Sequence, residues 1–122
     1  MPEPALTQIH KINEITVVEF GPRCKHIDEP VVELTSREVM DAVATASPPK
    51  VALDLSHTEF FGSSFIEVLF RAWNRLQHKP GGQMALIGLA PYCREVLEIT
   101  HLDKLWPIYD TRDAAIQAMK SA

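Results

Sequence analysis

VALDLSHTEFFGSSFIEVLFRAW, residues 51–73, carries the reading of the fold. The run Lys50 to Leu55 is short and apolar, which predicts a strand buried in the middle of a sheet. After a polar turn and the pair Phe60-Phe61, Ile66, Leu69, Phe70, Trp73 and Leu76 recur at three- and four-residue spacing. That spacing predicts a helix from Ser64 to about Leu76 with one face on the sheet, stopped by Lys79-Pro80-Gly81-Gly82. Two serines stand at the junction, and the question is whether both merely start a helix.

Upstream, Gln8 to Phe20 reads as two short strands around the turn Asn13-Glu14, with β-branched weight from Ile15, Val17 and Val18. Gly21-Pro22 breaks the second strand, Lys25 to Asp28 allows a brief third, and a helical pattern around Leu34, Val39, Met40 and Val43 ends at Ser47-Pro48-Pro49. Downstream, Met84 to Gly88 is another apolar strand and Pro91 a suitable first residue for the helix bearing Val96, Leu97 and Ile99. Leu105 to Tyr109 reads as a last strand placed at an edge by Pro107, and Asp110 as the cap of a helix bearing Ala114, Ala115, Ala118 and Met119. The expected fold is α/β, a small mixed sheet with parallel crossovers and helices packed mainly on one face.

A chain of 122 residues suits one domain, taken here as 1–122 with 1–7, including Pro2-Glu3-Pro4, expected to fray. Its 46% hydrophobic and 23% charged residues are those of a globular chain, and a net charge of −4 argues against nucleic acid as partner. Cys24 and Cys93 have no paired metal-ligand spacing, and no signal segment follows Met1, so a reducing cytoplasm is the expected setting. No apolar run approaches the roughly 20 residues needed to cross a bilayer, so direct membrane insertion is not expected. Nothing calls for a cofactor.

The order of elements and two phrases, VALDLSHTEFFGSSFIEVL and GGQMALIGLAPYCREVLEITHLDKLWPIYDTRDAAIQAM, resemble the STAS domain of bacterial anti-sigma factor antagonists and sulphate transporters. The resemblance spans roughly Ile9 to Met119 and implies a binding and regulatory module, not an enzyme. It places Ser63 at the position of the phosphorylatable serine. The family often has an Asp before that serine and small residues after it, whereas this chain has Gly62 before and Ser64, Phe65 and Glu67 after. The implied partner is an anti-sigma factor or a related serine kinase that uses ATP. Gly62, Ser63, Phe65, Arg71 and Arg75 are the candidate contact residues.

Read from the residues alone, Ser64-Phe65-Ile66-Glu67 matches the capping box Ser-x-x-Glu. Ser64 and Glu67 are then the helix cap, and Ser63 is left outside the helix with an accessible hydroxyl. A phosphate there would meet the positive end of the helix dipole and, against it, the charge of Glu67. Phe60, Phe61, Phe65, Trp73 and Trp106 could form an apolar rim for a partner; Phe70 and Trp73 fit the core stripe better, and Phe65 stays open between core and rim. A hydrolase built from Ser63, His57 and Asp54 is the alternative of another class, although the Gly-x-Ser-x-Gly elbow is absent. A metal site from His26, Asp28 and Cys24 or His57 lacks ligand spacing, and no metal is assigned.

Overall fold

The computed structural model describes residues 5–120, so the frayed start expected at Pro2-Glu3-Pro4 lies outside the described residues. β1 (Thr7–Ile12) and β2 (Ile15–Phe20) form the predicted hairpin. Its two turn residues, Asn13 at φ 50° and Glu14 at φ 69°, have the left-handed backbone that a two-residue turn between twisted strands requires. β1 begins at Thr7, inside the stretch expected to fray, because the Glu38 carboxylate receives the amides of Leu6 (3.0 Å) and Thr7 (2.8 Å) and the Thr7 hydroxyl.

The short strand β3 (His26–Ile27) leads to α1 (Val31–Thr45), and β4 (Lys50–Asp54) follows the Ser47-Pro48-Pro49 break. After β5 (Phe60–Phe61) come α2 (Ser63–Gln77), β6 (Gln83–Ile87), α3 (Pro91–Ile99), β7 (Ile108–Tyr109) and α4 (Arg112–Lys120). The main sheet has the order β1-β2-β4-β6-β7, in which β1 is antiparallel to β2 and every other pair is parallel. The predicted interior strand is therefore its central member. β3 and β5 form a separate parallel ribbon.

Side-chain alternation divides the sheet into two faces. Val18, Phe20, Val51, Leu53, Leu55, Met84 and Leu86 face α1, α2 and α3, with Val39, Val43, Phe65, Leu69, Leu76 and Leu97 closing that core. Ile15, Val17, Ala52, Ala85 and Ile87 face α4 alone, through Ala115, Ile116 and Met119. Being covered on both sides, β4 and β6 read as continuous apolar runs.

Four local expectations change. The inward stripe of α2 is Phe65, Val68, Leu69, Ala72 and Leu76, not the set containing Phe70 and Trp73. Small Ala72 and Val68 let α2 lie close to α1, which turns Phe70 outward to 37% exposure and leaves Trp73 half-buried. Trp106, a candidate for the rim, is fully buried and carries Phe70 on its ring at 5.0 Å. Leu105 to Tyr109 is only partly strand: a 3-10 turn over Leu102–Lys104 precedes it, and Pro107 leaves a two-residue β7. Asp110 does not cap α4; the Thr111 hydroxyl accepts from the Ala114 amide at 3.1 Å instead.

Candidate partner-binding site

The β3–β5 ribbon sets where α2 begins. The Gly62 amide continues the pairing by donating to the Ile27 carbonyl at 3.4 Å, and Gly62 is the N-cap, with an extended backbone (φ −98°, ψ −175°). Its carbonyl accepts from the amides of Phe65 (3.1 Å) and Ile66 (3.3 Å), which fixes Ser63 as the first helical residue and Ser64 as the second. This overturns the capping-box reading. Ser64 is inside the helix, no side chain caps it, and Ser63 is not outside it, because ribbon pairing ends at Gly62 and sets the cap there, two residues before the Ser64 that the sequence pattern suggests.

Ser63 is nevertheless exposed, and Ser64 half-buried. The amides of both belong to the first turn, where a helix supplies no acceptor. Neither amide nor hydroxyl finds one among the described residues. The positive end of the α2 dipole is thus presented together with an exposed hydroxyl.

A groove of about 390 Å³ between α1 and α2 runs from this point, lined by Glu29, Glu33, Arg37, Ser64, Glu67 and Arg71 among others. Glu33 and Arg37 pair at 3.5 Å while both stay exposed. Arg71 lines the groove; Arg75, one turn further along α2, is exposed outside it. Phe65 is settled as core: it is fully buried, edge-on to Phe20 at 5.5 Å and beside Phe61 at 5.3 Å.

On the other side of Ser63 the ribbon presents Phe60, 37% exposed, against Tyr92 of α3 at 5.5 Å, with the His26 ring edge-on at 6.3 Å. Tyr92 had no signal in the sequence, and His26 stood out only in a loose metal-ligand set. They join Phe60 only because β3 and β5 pair and α3 begins beside them, with Cys93 donating from Sγ to the Glu59 carbonyl at 3.6 Å.

Asp54, His57 and Ser63 do not form a hydrolytic constellation. Asp54 receives the amide of Ser56 at 3.0 Å and its hydroxyl at 2.5 Å, and the Arg112 guanidinium through Nη2 at 2.7 Å and Nε at 3.2 Å. His57 lies 3.7 Å from Glu19, and Glu19 also meets His10 at 2.8 Å and Arg112 at 3.3 Å. Burial pushes the Asp54 carboxyl up, but the hydrogen bonds from Ser56 and Arg112 outweigh it and hold the group below the usual range. The hydrogen bond with His10, opposed by burial and helped by Arg112, does the same for Glu19. Gly88 belongs to this arrangement: at φ 68° a β-carbon there would lie 2.4 Å from the Ser56 hydroxyl.

The proposed metal set is not assembled either. Cys24 is buried, its thiol pushed up by burial and donating to the Leu6 carbonyl at 3.7 Å, and His26 belongs to the aromatic patch. Among the described residues no three His, Cys, Asp or Glu side chains are grouped to hold a metal, and no helix is long and apolar enough to cross a membrane.

The fold has counterparts among known proteins. Residues 8–115 match the STAS domain, and the chain belongs to that family. It is similar to an anti-sigma-factor antagonist (STAS) domain protein from Planctomyces limnophilus, with 39% identity and a TM-score of 0.88 over 96% of this chain and 99% of the other. An anti-sigma factor antagonist from Mycobacterium paratuberculosis superposes with a TM-score of 0.81 at 29% identity, covering 93% and 92% of the two chains. BtrV of Bordetella bronchiseptica, assigned as an anti-sigma factor antagonist, is 30% identical over 96 residues, or 75% of this chain and 82% of BtrV.

Proposed function

We propose that this protein is a regulatory binding module of the anti-sigma factor antagonist type, not an enzyme, acting in the cytoplasm as one domain. It engages an anti-sigma factor or a related serine kinase through the surface around Ser63, and phosphorylation of Ser63 switches that complex. The observation that carries the reading is the position of Ser63: exposed, first in α2, with its amide and that of Ser64 unused. A phosphate on the hydroxyl would have free helix-start amides beside it, so the domain tolerates it. A partner fitted to a neutral hydroxyl would meet about −1.5 to −2 charges instead. Gly62, Ser63 and Arg71 supply the contact surface with the half-exposed Phe60; Arg75 extends it along α2. Glu67, one turn after Ser63 on the same face, repels the phosphate and limits how far the helix start stabilises it.

The test is incubation of the intact chain with a cognate anti-sigma factor kinase and ATP, followed by intact-mass measurement and calorimetry of both forms. One added phosphate, absent from Ser63→Ala, with weaker binding and unchanged circular dichroism, is the expected result. Binding without any added phosphate would leave a constitutive docking module, and no binding would overturn both.

A further inference from the structure

Pro107 leaves part of β6 without a neighbouring strand. β7 pairs with β6 only at Leu86 and Ile87, so among the described residues the edge from Gln83 to Ala85 is uncovered, about 10 Å at the rise of a strand. The Gln83 amide donates to the Pro49 carbonyl at 3.0 Å, on the β4 side, and the Leu86 amide to the Pro107 carbonyl at 2.9 Å, on the β7 side. By the two-residue alternation Met84 turns both its amide and its carbonyl to the β7 side. Continued by two residues, the parallel register would bring the Met84 carbonyl to an N–H of residue 107, which proline lacks. The Met84 amide would reach the Leu105 carbonyl, but Leu105 still belongs to the 3-10 turn, its own amide on the Leu102 carbonyl at 3.0 Å. Neither Met84 group has a partner among the described residues, although Met84 is only 5% exposed. A buried backbone donor and acceptor left side by side are costly, and they call for a matching acceptor and donor.

Met84 lines a cavity of about 410 Å³ at this sheet edge, between the last turns of α2 and α4. Trp73 and Leu76 line it from one helical layer, Tyr109 and Met119 from the other. None of its lining residues bears a formal charge, in a chain where 23% do. We infer that the cavity binds a small, flat, neutral molecule with a cyclic amide edge, whose N–H donates to the Met84 carbonyl and whose C=O accepts from the Met84 amide. The volume is that of a small-ligand site. An ionised ligand would give up its water and find no opposite charge there. Flatness follows from the layers, because a ligand bonded to Met84 continues the plane of the sheet, with Trp73 on one face and Tyr109 and Met119 on the other. A strand of another protein does not fit: Ile108 holds the next place on the β6 edge, so an extended chain would be stopped after about three residues. Ser63 stands at the opposite end of α2, about 20 Å away at 1.5 Å per residue, so this site does not depend on what the helix start binds.

Carbostyril, a neutral bicyclic lactam, is the probe, titrated into the isotopically labelled intact protein and followed through its amide resonances. A saturable shift is expected, largest at Met84, Ala85 and the Trp73 indole, with half-saturation below about 1 mM. N-methylcarbostyril keeps the ring and loses the donor, leaving the Met84 carbonyl unpaired, and is expected to bind roughly tenfold more weakly. Ala118→Phe, at an exposed position of α4 that lines the cavity, is expected to fill it and abolish binding with unchanged circular dichroism. Pro107→Ala supplies the N–H that the Met84 carbonyl lacks and is expected to weaken the probe by roughly tenfold through competition within the chain. No saturable shift at the probe's solubility limit overturns the inference, and so do shifts centred away from Met84 or binding retained in Ala118→Phe. Equal affinity for the methylated probe, a comparison made on wild type that needs no variant to fold, would also overturn it, leaving an apolar cavity that does not read the amide.

Discussion

Arg112, the first residue of α4, reaches across 58 positions of sequence to hold Asp54 at the end of the central strand, Nη2 to Oδ2 at 2.7 Å. Glu19, the register partner of Asp54 on β2, shares the same nitrogen at 3.3 Å. The lone helix on its face of the sheet is thereby fastened to two strands at once. Asp54 is nearly buried and Arg112 is 30% exposed, so removing the cation leaves one carboxylate poorly solvated. Breaking a fully buried pair costs about 3–5 kcal/mol, and the exposure of Arg112 reduces this; Arg112→Met is expected to cost about 2 kcal/mol. Urea titration of wild type and variant measures it, and a loss under about 0.5 kcal/mol would show the pair to be ornamental.

The same carboxylates set an acid limit. Both Asp54 and Glu19 are held below their ordinary values in the folded chain, so each contributes stability that is complete above the unfolded pKa, about 4, and is lost as pH falls through the lower folded value. In Arg112→Met burial still raises Asp54 while one cause that lowers it is gone, so the acid transition should begin at higher pH than in wild type. Chemical unfolding from pH 7 down to about 2 is the measurement, and coincident curves after normalising at neutral pH would refute the linkage.

Because the helix start is capped by backbone alone, neither serine carries the cap energy that the Ser-x-x-Glu pattern suggested. Ser63→Ala and Ser64→Ala are both expected within about 0.5 kcal/mol of wild type, far from the 1 kcal/mol typical of a lost side-chain cap. A selective loss in Ser64→Ala would restore the capping box in solution.

The two phenylalanines flanking Gly62 have different roles and should respond differently. Phe65 is buried among Phe20 and Phe61, so Phe65→Ala should cost about 3–5 kcal/mol. Phe60→Ala should cost under about 1 kcal/mol and, if the patch with Tyr92 joins the partner surface, reduce affinity for the anti-sigma factor by roughly tenfold. Calorimetry and thermal unfolding on both variants separate the effects; equal affinity after Phe60→Ala would exclude the patch.

What could be read from the sequence depended on range. The central strand, the hairpin and the helix breaks announce themselves through neighbours in sequence: Lys50 to Leu55, Asn13-Glu14 and Lys79-Pro80-Gly81-Gly82 need no tertiary information. The α2 stripe was legible in period but not in phase, because Phe70 and Trp73 satisfy the same spacing as Val68 and Ala72, and only the closeness of α1 prefers the small residues inside. The cap failed for a similar reason. Its pattern was present, but the start of the helix is decided by His26–Ile27, some 35 residues away, pairing with Phe60–Phe61 and carrying the register on to Gly62. The Arg112–Asp54 pair and the Phe60–Tyr92 patch have no local signature at all.

Gly62 offers the sharpest test of the helix start. It occupies the N-cap with an extended backbone that any residue adopts, and a β-carbon placed on it would meet no heavy atom within 4 Å. Glycine is therefore not needed there for space or for φ. An aspartate could adopt the same backbone, accept from the free amide of Ser64 or from that of Phe65, and set a negative charge at the positive end of the dipole. It would also lower the entropy of the unfolded chain relative to glycine. Gly62→Asp is expected to stabilise by about 0.5–1 kcal/mol, while its carboxylate, one residue from Ser63, competes with a phosphate for the same amides. Urea titrations of Gly62→Asp and of Gly62→Asn, which keeps the acceptor without the charge, divide the cap from the dipole; destabilisation by both would show that the helix does not begin at Ser63.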